Sequence, residues 1–335
     1  MTMPALELPP SETPVHISVM KDEIVAALAP LNGGLFLDLT AGAGGHSEAL
    51  LEVCDNSQLI AIDRDPNAVQ LARRRLARFG TRAQVYHYKF GDLAQWRSEL
   101  DLSGVMGVVA DLGISSAQLD DGERGMSFRL EGPIDMRMDP TRGESALDLI
   151  VRLSQEDLAD VIYHFGEERR SRRVARCIKA ALEAGELHTT ADLRRAVVRA
   201  VGPQRGRGID PATLTFQALR IAVNRELDEL NALLAALPDV LSPGGIAALM
   251  SFHSLEDRRV KQAFKDRSVW RPLSKKPLTA SQQEQEANPR SRSAKLRLAQ
   301  RLSASTGLQS LSRLLPEEMP PGTLPPGRLP PGTGH

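Results

Sequence analysis

A glycine-rich turn between an apolar run and a helical pattern constrains the fold of this chain most strongly. Residues 35–39 are apolar except for Asp38, and Gly42, Gly44 and Gly45 follow them. Apolar residues then recur at helical spacing, which predicts a strand, a tight turn and a helix. Glycine lets the backbone turn sharply and approach a ligand because it has no Cβ. Such a unit opens a parallel sheet that binds ligands where its first strand ends.

A second short apolar run ends at Asp63, about 20 positions after Gly42. An acidic residue at this distance commonly binds the hydroxyl pair of a ribose. The dinucleotide fingerprint requires a third glycine where this chain has Ser47, so the pattern disfavours NAD. It favours a nucleoside without a pyrophosphate, such as S-adenosylmethionine, whose carboxylate suits the N-terminus of a helix. A glycine turn alone is also typical of a purely structural turn.

The third predicted strand is followed by Phe90, and the fourth ends at Asp111. Because the carboxyl ends of parallel strands face the same way, Gly44, Asp63 and Asp111 are expected to surround one site. Phe90 is a candidate for packing against an adenine ring, although a core aromatic fits the pattern equally well.

The alternation of strands and helices stops after the fourth strand. Residues 115–140 are polar and glycine-rich, which predicts an ordered loop without helices, and several helical patterns follow. We therefore expect an all-helical domain at 116–209, inserted into an α/β domain made of residues 16–115 and 210–302. One long amphipathic helix is predicted from Asp210 to about Leu237. The last two strands, near residues 269–273 and 294–299, are expected to be antiparallel.

The two ends of the chain carry little apolar pattern. Residues 1–15 are interpreted as a flexible arm. Residues 303–335 contain repeated Pro-Pro-Gly and are interpreted as a disordered tail, because they cannot bury enough apolar area to order themselves.

Composition narrows the classes of function. Lys and Arg together number 42 and Asp and Glu 42, so any surface that attracts nucleic acid must be local. The two cysteines, Cys54 and Cys177, have no metal-ligand spacing to histidines, and neither a metal site nor a disulfide framework is predicted. No run of 18 apolar residues and no signal-peptide pattern occur, so we expect a cytoplasmic protein without a membrane span. The sequence does not indicate an oligomeric state.

Several longer motifs are specific when they are taken together. They are Leu39-Thr-Ala-Gly-Ala-Gly-Gly-His-Ser47, Ala61-Ile-Asp-Arg-Asp-Pro66, Ala110-Asp-Leu-Gly-Ile-Ser-Ser116, Gln118-Leu-Asp120, Gly132-Pro-Ile-Asp-Met-Arg-Met-Asp-Pro140, Phe216-Gln-Ala-Leu-Arg-Ile221, Ser251-Phe-His-Ser-Leu-Glu-Asp257 and Asn288-Pro-Arg-Ser-Arg-Ser-Ala-Lys-Leu-Arg297. Over about residues 16–301 the chain resembles the bacterial ribosomal RNA small subunit methyltransferase H family, also called MraW. Ala117 departs from the pattern, because many members have proline there.

The resemblance implies a class I, Rossmann-like methyltransferase that depends on S-adenosylmethionine and carries an inserted helical domain for substrate recognition. It implies methylation of N4 of a cytidine in the decoding region of 16S rRNA, with the small ribosomal subunit as the setting. The cofactor contacts that it implies are Gly44, Gly45, His46, Asp63, Phe90, Asp111 and Gln118.

The cytosine amine is a poor nucleophile because its lone pair is shared with the ring, so an acceptor for an N4 proton would favour methyl transfer. Asp111 is the first candidate for that role, although it could contact only the cofactor. Ser115, Ser116 and His253 also follow predicted strands and are alternatives. For His253, a hydrogen-bonded helix start is the simpler interpretation.

Three basic clusters supply the local positive charge that an RNA backbone requires. They consist of Arg169, Arg170, Arg172, Arg173 and Arg176; of Arg194, Arg195, Arg199, Arg205 and Arg207; and of Arg290, Arg292, Lys295 and Arg297. Any one cluster is typical of a solvated helix face, but two of them fall in the predicted insertion. Arg205 and Arg207 are the first candidates for RNA contact. The rival hypotheses are a methyltransferase with another substrate, a non-catalytic ribosome assembly factor and an NAD oxidoreductase.

Overall fold

The computed structural model of the chain describes residues 18–100, 102–203 and 210–303. These residues form one seven-stranded sheet in the order β3-β2-β1-β4-β5-β7-β6. The strands are β1 (Leu35–Asp38), β2 (Gln58–Asp63), β3 (Ala83–His87), β4 (Val105–Asp111), β5 (Leu241–Ser251), β6 (Trp270–Pro272) and β7 (Lys295–Arg301). The first five are parallel, and β7 runs antiparallel to both β5 and β6. The α/β class and the antiparallel final strands are therefore confirmed.

Apolar side chains cover both faces of the sheet. Successive residues of a strand point to opposite faces, so Phe36 enters the core on one side and Leu37 the core on the other. The helices outside the β4–β5 connection are α1 (Lys21–Leu28), α2 (Gly45–Val53), α3 (Pro66–Leu76), α4 (Leu93–Trp96), α12 (Ser254–Ala263) and α13 (Gln282–Ala287). Helix α3 begins as its sequence predicts, because Oδ1 of Asp65 accepts the N–H of Asn67 and proline occupies the first turn.

The described connection between β4 and β5 is helical. Its helices are α5 (Ser116–Asp120), α6 (Ala146–Arg152), α7 (Gln155–Gly166), α8 (Ser171–Glu183), α9 (Thr190–Val201), α10 (Thr213–Asn224) and α11 (Glu226–Val240). The prediction that residues 115–140 contain no helix is wrong. Ser115 and Gln118 form a capping box that starts α5, and a 3-10 turn, Gly122–Arg124, follows it. This Ser-x-x-Gln signature was visible in the sequence.

The prediction of one helix from 210 to 237 is also wrong, because the chain turns at Arg225. That residue is in the left-handed region (φ 51°) and separates α10 from α11. The apolar stripe continues through the break but serves two different cores. Phe216 of α10 packs with the helices of the connection, whereas Leu230 of α11 packs against the sheet. The spacing of apolar residues shows that they are buried, but not what they pack against.

Asn224 joins this turn to the loop that precedes α6. Its side chain donates to the carbonyl of Met136 (2.7 Å) and accepts the N–H of Met138 (2.8 Å). Met138 in turn lines the cleft described below. Across the parts of the chain that the structure describes, no helix has the length and apolar character to cross a membrane.

Candidate functional site

A cleft opens at the edge of the sheet where β1, β2, β4 and β5 end. Of the candidate residues, those that line it are Gly45, His46, Asp63, Phe90, Asp111, Ser115, Ser116 and Gln118. They converge from distant parts of the sequence because parallel strands end at one edge. Gly44 and His253 are not among the residues that line the cleft. Arg205 and Arg207 lie outside the described residues.

The Asp63 carboxylate is oriented by two backbone amides. Oδ2 accepts the N–H of Gly42 and Oδ1 accepts the N–H of Asp65, both at 2.8 Å. Each oxygen keeps a further lone pair that can accept a hydroxyl. Burial raises the pKa of Asp63 to about 6, although the two hydrogen bonds act to lower it. The carboxyl group is therefore mostly ionised at neutral pH. A fixed carboxylate with free acceptor capacity suits a pair of ribose hydroxyls.

Asp111 presents an oxygen that has no partner. Within the described residues, its buried Oδ1 accepts no hydrogen bond, whereas its backbone N–H donates to the hydroxyl of Thr40 at 2.6 Å. Burial raises the pKa of Asp111 to about 7; His46 opposes this shift, and the carboxylates of Asp38 and Glu256 add to it. Buried polar atoms are usually paired, so an unpaired acceptor in a cleft indicates a place for a donor from a ligand.

His46 and Gly45 form the wall of the cleft at the start of α2. His46 is buried, and its Nε2 lies 2.9 Å from the carbonyl oxygen of Val19. A Cβ at position 45 would collide with the hydroxyl of Ser18, which would have to rotate away, so glycine lets the segment 18–19 pack here as it does. His46 therefore anchors the segment that covers the first turn of α2.

Gly44 shapes the turn without facing the cleft. It is the residue that caps α2, with φ 83°, a conformation that favours glycine. A Cβ there would lie 3.4 Å from Cα of Ala72, which belongs to α3. That distance is an ordinary van der Waals contact, so the positive φ is the reason for glycine at this position.

Asp38 supports the site without lining the cleft, a role that the sequence reasoning missed. It is buried, its Oδ2 accepts the hydroxyl of Ser47 at 2.6 Å, and its Oδ1 accepts the N–H of Thr40 at 3.2 Å. Burial raises the pKa of Asp38, whereas His46 and these hydrogen bonds act to lower it. Its position as the polar residue in an otherwise apolar run was the available signal. It ties the end of β1 to α2.

The side chain of Gln118 lines the cleft but already has partners in the protein. Its Oε1 accepts the N–H of Ser115 (3.1 Å), and its Nε2 donates to Oδ2 of Asp65 (2.9 Å). Buried Arg124 donates to the same Asp65 oxygen and to the carbonyl of Met138. This network fixes α5 against the start of α3.

His253 follows the end of β5 and lies next to the buried carboxylates of Glu226 and Glu256. Its Nε2 lies 3.2 Å from Oε1 of Glu256, and Glu226 lies close to both. These three side chains are of metal-binding types, but both Glu226 oxygens already accept N–H groups of the half-buried Arg220, at 2.7 and 2.8 Å. Glu256 also accepts the N–H of Phe252, so the network holds the end of β5 and the start of α12 in place.

Two further residues of the cleft had no assigned cofactor role. Phe252 lies at the end of β5, and Arg290 lies in the 3-10 helix Pro289–Ser293. Arg290 donates to Oδ1 of Asp120 at 2.6 Å, which joins the C-terminal part of the chain to α5. Both belong to motifs on which the family resemblance rests, so the signal was present.

The part of the sequence that forms the site matches a known protein family. Residues 13–302 match the MraW methylase family. The chain is 58% identical over 293 residues to the ribosomal RNA small subunit methyltransferase H of Sorangium cellulosum, covering 88% of this chain and 93% of that protein. It is 53% identical over 295 residues to the protein of the same name from Prochlorococcus marinus strain MIT 9303, covering 86% and 93%. This chain belongs to the MraW methylase family. It is a methyltransferase that depends on S-adenosylmethionine.

Solved structures show a more distant likeness. A putative rRNA methylase from Clostridium thermocellum aligns with a TM-score of 0.43 and 10% identity, covering 86% of this chain and 100% of its own. A putative methyltransferase from Streptococcus mutans, in complex with SAH, aligns with a TM-score of 0.40 and 10% identity, covering 85% and 99%. At these scores the likeness carries no argument about the site.

Proposed function

We propose that this methyltransferase acts on N4 of a cytidine in the decoding region of 16S rRNA, within the small ribosomal subunit. The observation that carries the proposal is the buried Oδ1 of Asp111 in the cleft, which has no partner among the described residues and offers an acceptor to an amine. Family membership and the printed name of the relatives support ribosomal RNA as the substrate. Because ribosomal RNA is found in the bacterial cytoplasm, we place the reaction there.

The cleft fits S-adenosylmethionine by the chemistry of its donors and acceptors. We assign the ribose hydroxyls to Asp63, whose orientation is set by two backbone amides. The N-terminal turn of α2, at Gly45 and His46, is the favourable place for the carboxylate of the methionine part. Phe90 lines the same cleft and is assigned to the adenine.

The remaining cofactor candidates are assigned indirect roles. Gly44 provides the turn, and Gln118 holds α5 at the edge of the cleft. When bound, S-adenosylmethionine supplies a methyl group that its sulfonium already activates, so the protein mainly has to align the amine and exclude water.

The protein's own contribution at the amine is assigned to Asp111. A carboxylate that accepts an N4 hydrogen bond draws electron density onto the nitrogen and stabilises the positive charge that develops there. Its pKa of about 7 suits a group that accepts a proton near neutral pH. Ser115 and Ser116, which line the cleft next to it, are assigned to positioning the base. The Ser115 oxygen accepts the N–H of Gln118, so its own O–H remains able to donate.

We also propose that the chain consists of two domains with different roles. Residues 16–115 and 210–302 form the methyltransferase domain, and 116–209 form the inserted domain that recognises RNA. The helices of the insertion support this because they build a core of their own, although α10 packs into that core as well. The proposed arm, 1–15, and the tail from 304 onwards lie outside the described residues.

The test is to map methylcytidine by mass spectrometry in 16S rRNA after reaction with the wild-type protein and with Asp111→Asn. Substrates are protein-free 16S rRNA and assembled small subunits. We expect one N4-methylcytidine in the decoding region with the wild type and its near-complete loss in the variant. Asp239→Asn, in which the exposed Asp239 of α11 is changed, serves as the control and keeps full activity. Methylation only elsewhere, or RNA binding without methyl transfer, would overturn the proposal and favour another substrate or an assembly factor.

A further inference from the structure

Helix α8 and the turn before it carry arginines that have no carboxylate partner among the described residues. Arg169, Arg172, Arg173 and Arg176 are exposed. Across residues 18–100, 102–203 and 210–303, none of these four side chains forms an ion pair or a side-chain hydrogen bond. A fully hydrated guanidinium group without a local carboxylate keeps its charge available to an external anion.

The arginines of α9 differ in this respect, although the two clusters look equivalent in the sequence. Arg194 pairs with Asp210 at 2.8 Å, Arg195 pairs with Asp192, and Arg199 lies 3.8 Å from Glu186. Each of these charges is partly neutralised by the protein itself. The structure therefore separates two clusters that the sequence could not distinguish.

An aromatic pair accompanies the unpaired arginines. Tyr163 is 51% exposed, and its ring centroid lies 5.2 Å from that of His164, at an interplanar angle of 79°. Both rings line an open depression together with Arg169, Arg172 and Arg173, and Asp160 also lies in its wall. Exposed aromatic faces between arginines are the features that bind unstacked bases and backbone phosphates of single-stranded nucleic acid.

The turn between α7 and α8, which carries Arg169, contacts the first residues of α12 at the edge of the sheet where the cleft opens. Glu167, between α7 and α8, accepts the hydroxyl of Ser254 at 2.5 Å and pairs with Arg258 at 3.2 Å. Ser254 begins α12, two residues after Phe252, which lines the cleft. The turn that carries Arg169 is therefore held against the start of α12, which follows the strand end that borders the cleft.

We propose that the surface of Tyr163, Arg169, Arg172 and Arg173 binds a single-stranded RNA segment next to the target nucleotide. The arginines contact its phosphates, and a neighbouring base stacks on Tyr163. The inference rests on the proposed RNA substrate and adds where, and by which chemistry, that RNA is held outside the methyl-transfer cleft.

The test compares two triple variants of the full chain that lose the same charge: Arg169→Ala/Arg172→Ala/Arg173→Ala, and Arg194→Ala/Arg195→Ala/Arg199→Ala as the matched control. The probe is a fluorescent 16S rRNA fragment that spans the decoding region, titrated by anisotropy at several salt concentrations. We expect the α8 variant to lose about tenfold or more in affinity, with a log–log salt slope shallower by about 2, because each phosphate contact to a single strand contributes about 0.7. The α9 control should lose less than about threefold.

Two further measurements make the result specific. Calorimetric affinity for S-adenosylmethionine should match the wild type in both variants. Each variant should also unfold in one cooperative transition with a midpoint within about 5 °C of the wild type, which excludes misfolding as the cause. Tyr163→Ala should weaken binding of the fragment about tenfold without changing the salt slope, whereas Tyr163→Phe should bind within about twofold of the wild type because its ring still stacks.

The outcomes are distinct. The inference is overturned if the α8 variant binds the fragment as tightly as the wild type, or if both triple variants lose the same affinity for it. The surface would then be one that binds another partner, such as an acidic protein. If the wild type neither binds nor methylates the fragment or the small subunit, the proposed function itself fails. If the wild type methylates its substrate and the α8 variant binds the fragment as tightly as the wild type, only the RNA-binding role of this surface is overturned, and the proposed function stands.

Discussion

The hydroxyl oxygen of Thr40 lies 2.6 Å from the backbone nitrogen of Asp111 and accepts its hydrogen bond. Thr40 follows β1 and Asp111 ends β4, so this bond ties two neighbouring strand ends together at the cleft. It uses the backbone of Asp111 and leaves the side chain free to meet a ligand. The unpartnered Oδ1, described above, is therefore held on a rigid part of the sheet.

Replacement of Asp111 by asparagine should slow methyl transfer about 100-fold or more at saturating substrates, because the amide cannot accept a proton. The affinity for S-adenosylmethionine should change less than about threefold. Single-turnover rates and calorimetry measure the two effects separately. A loss of affinity with an unchanged rate would show that Asp111 only holds the cofactor.

Asp63→Asn is expected to give the opposite pattern. Its two oxygens accept the N–H groups of Gly42 and Asp65. An asparagine side chain would place its NH₂ group next to one of these donors and could not accept that hydrogen bond. The affinity for S-adenosylmethionine should fall about tenfold or more, while the rate at saturation stays within about threefold. An unchanged dissociation constant would refute the ribose assignment.

Methyl transfer should depend on pH through Asp111, whose pKa burial raises to about 7. The ionised form accepts the proton, so the rate should rise as pH increases through about 7 and level off above about 8. Asp111→Asn should flatten this rise. A wild-type profile that stays flat between pH 6 and pH 8 would contradict the proposed role.

The same carboxyl should make the cofactor-free protein less stable at high pH. Its pKa is raised above the unfolded value of about 3.9, so the folded state favours the protonated form. This contribution is fully present below about pH 4 and is lost as pH rises to about 7. Asp111→Asn should therefore match the wild type near pH 4 and exceed it by about 2 kcal/mol at pH 8, a value reduced for solvent screening. Urea denaturation at both pH values measures this, and a variant that is less stable at pH 8 would contradict it.

Asp65 should be important for stability, because it neutralises buried Arg124. Asp65→Asn leaves that charge unpaired and should lower the free energy of unfolding by about 3 kcal/mol. A second change, Arg124→Met, should recover much of the loss. The control is Arg195→Ala, which breaks a pair whose arginine is 68% exposed and should cost less than about 1 kcal/mol. Equal losses in Asp65→Asn and the control would show that burial adds nothing to the pair.

Sequence reasoning located strand ends more reliably than side-chain directions. Asp63 and Asp111 meet in one cleft because the strand-end rule depends only on the order of strands and helices. Gly44 and His253 also follow strands, but Gly44 faces α3 and His253 turns towards Glu256. A side chain's direction depends on its neighbours, which no local pattern contains.

The break at Arg225 shows the same limit in the backbone. Apolar steps of three and four continue from α10 into α11, so periodicity alone predicts one helix. Asn224, next to the break, forms hydrogen bonds with the backbone of Met136 and Met138, which are far away in the sequence. Such contacts form only when the loop and the helices pack together.

The sequence by itself determined the strand–turn–helix unit, the acids at the strand ends and the family, because these depend on local spacing and motifs. The tertiary structure decided which charges remain available. Arg194 is neutralised by Asp210, whereas Arg172 has no carboxylate partner within the described residues. It also decided that Oδ1 of Asp111 is buried and has no partner in the part of the chain that the structure describes. Burial and pairing are set by residues distant in the chain, whose proximity arises only from the packing of the whole fold.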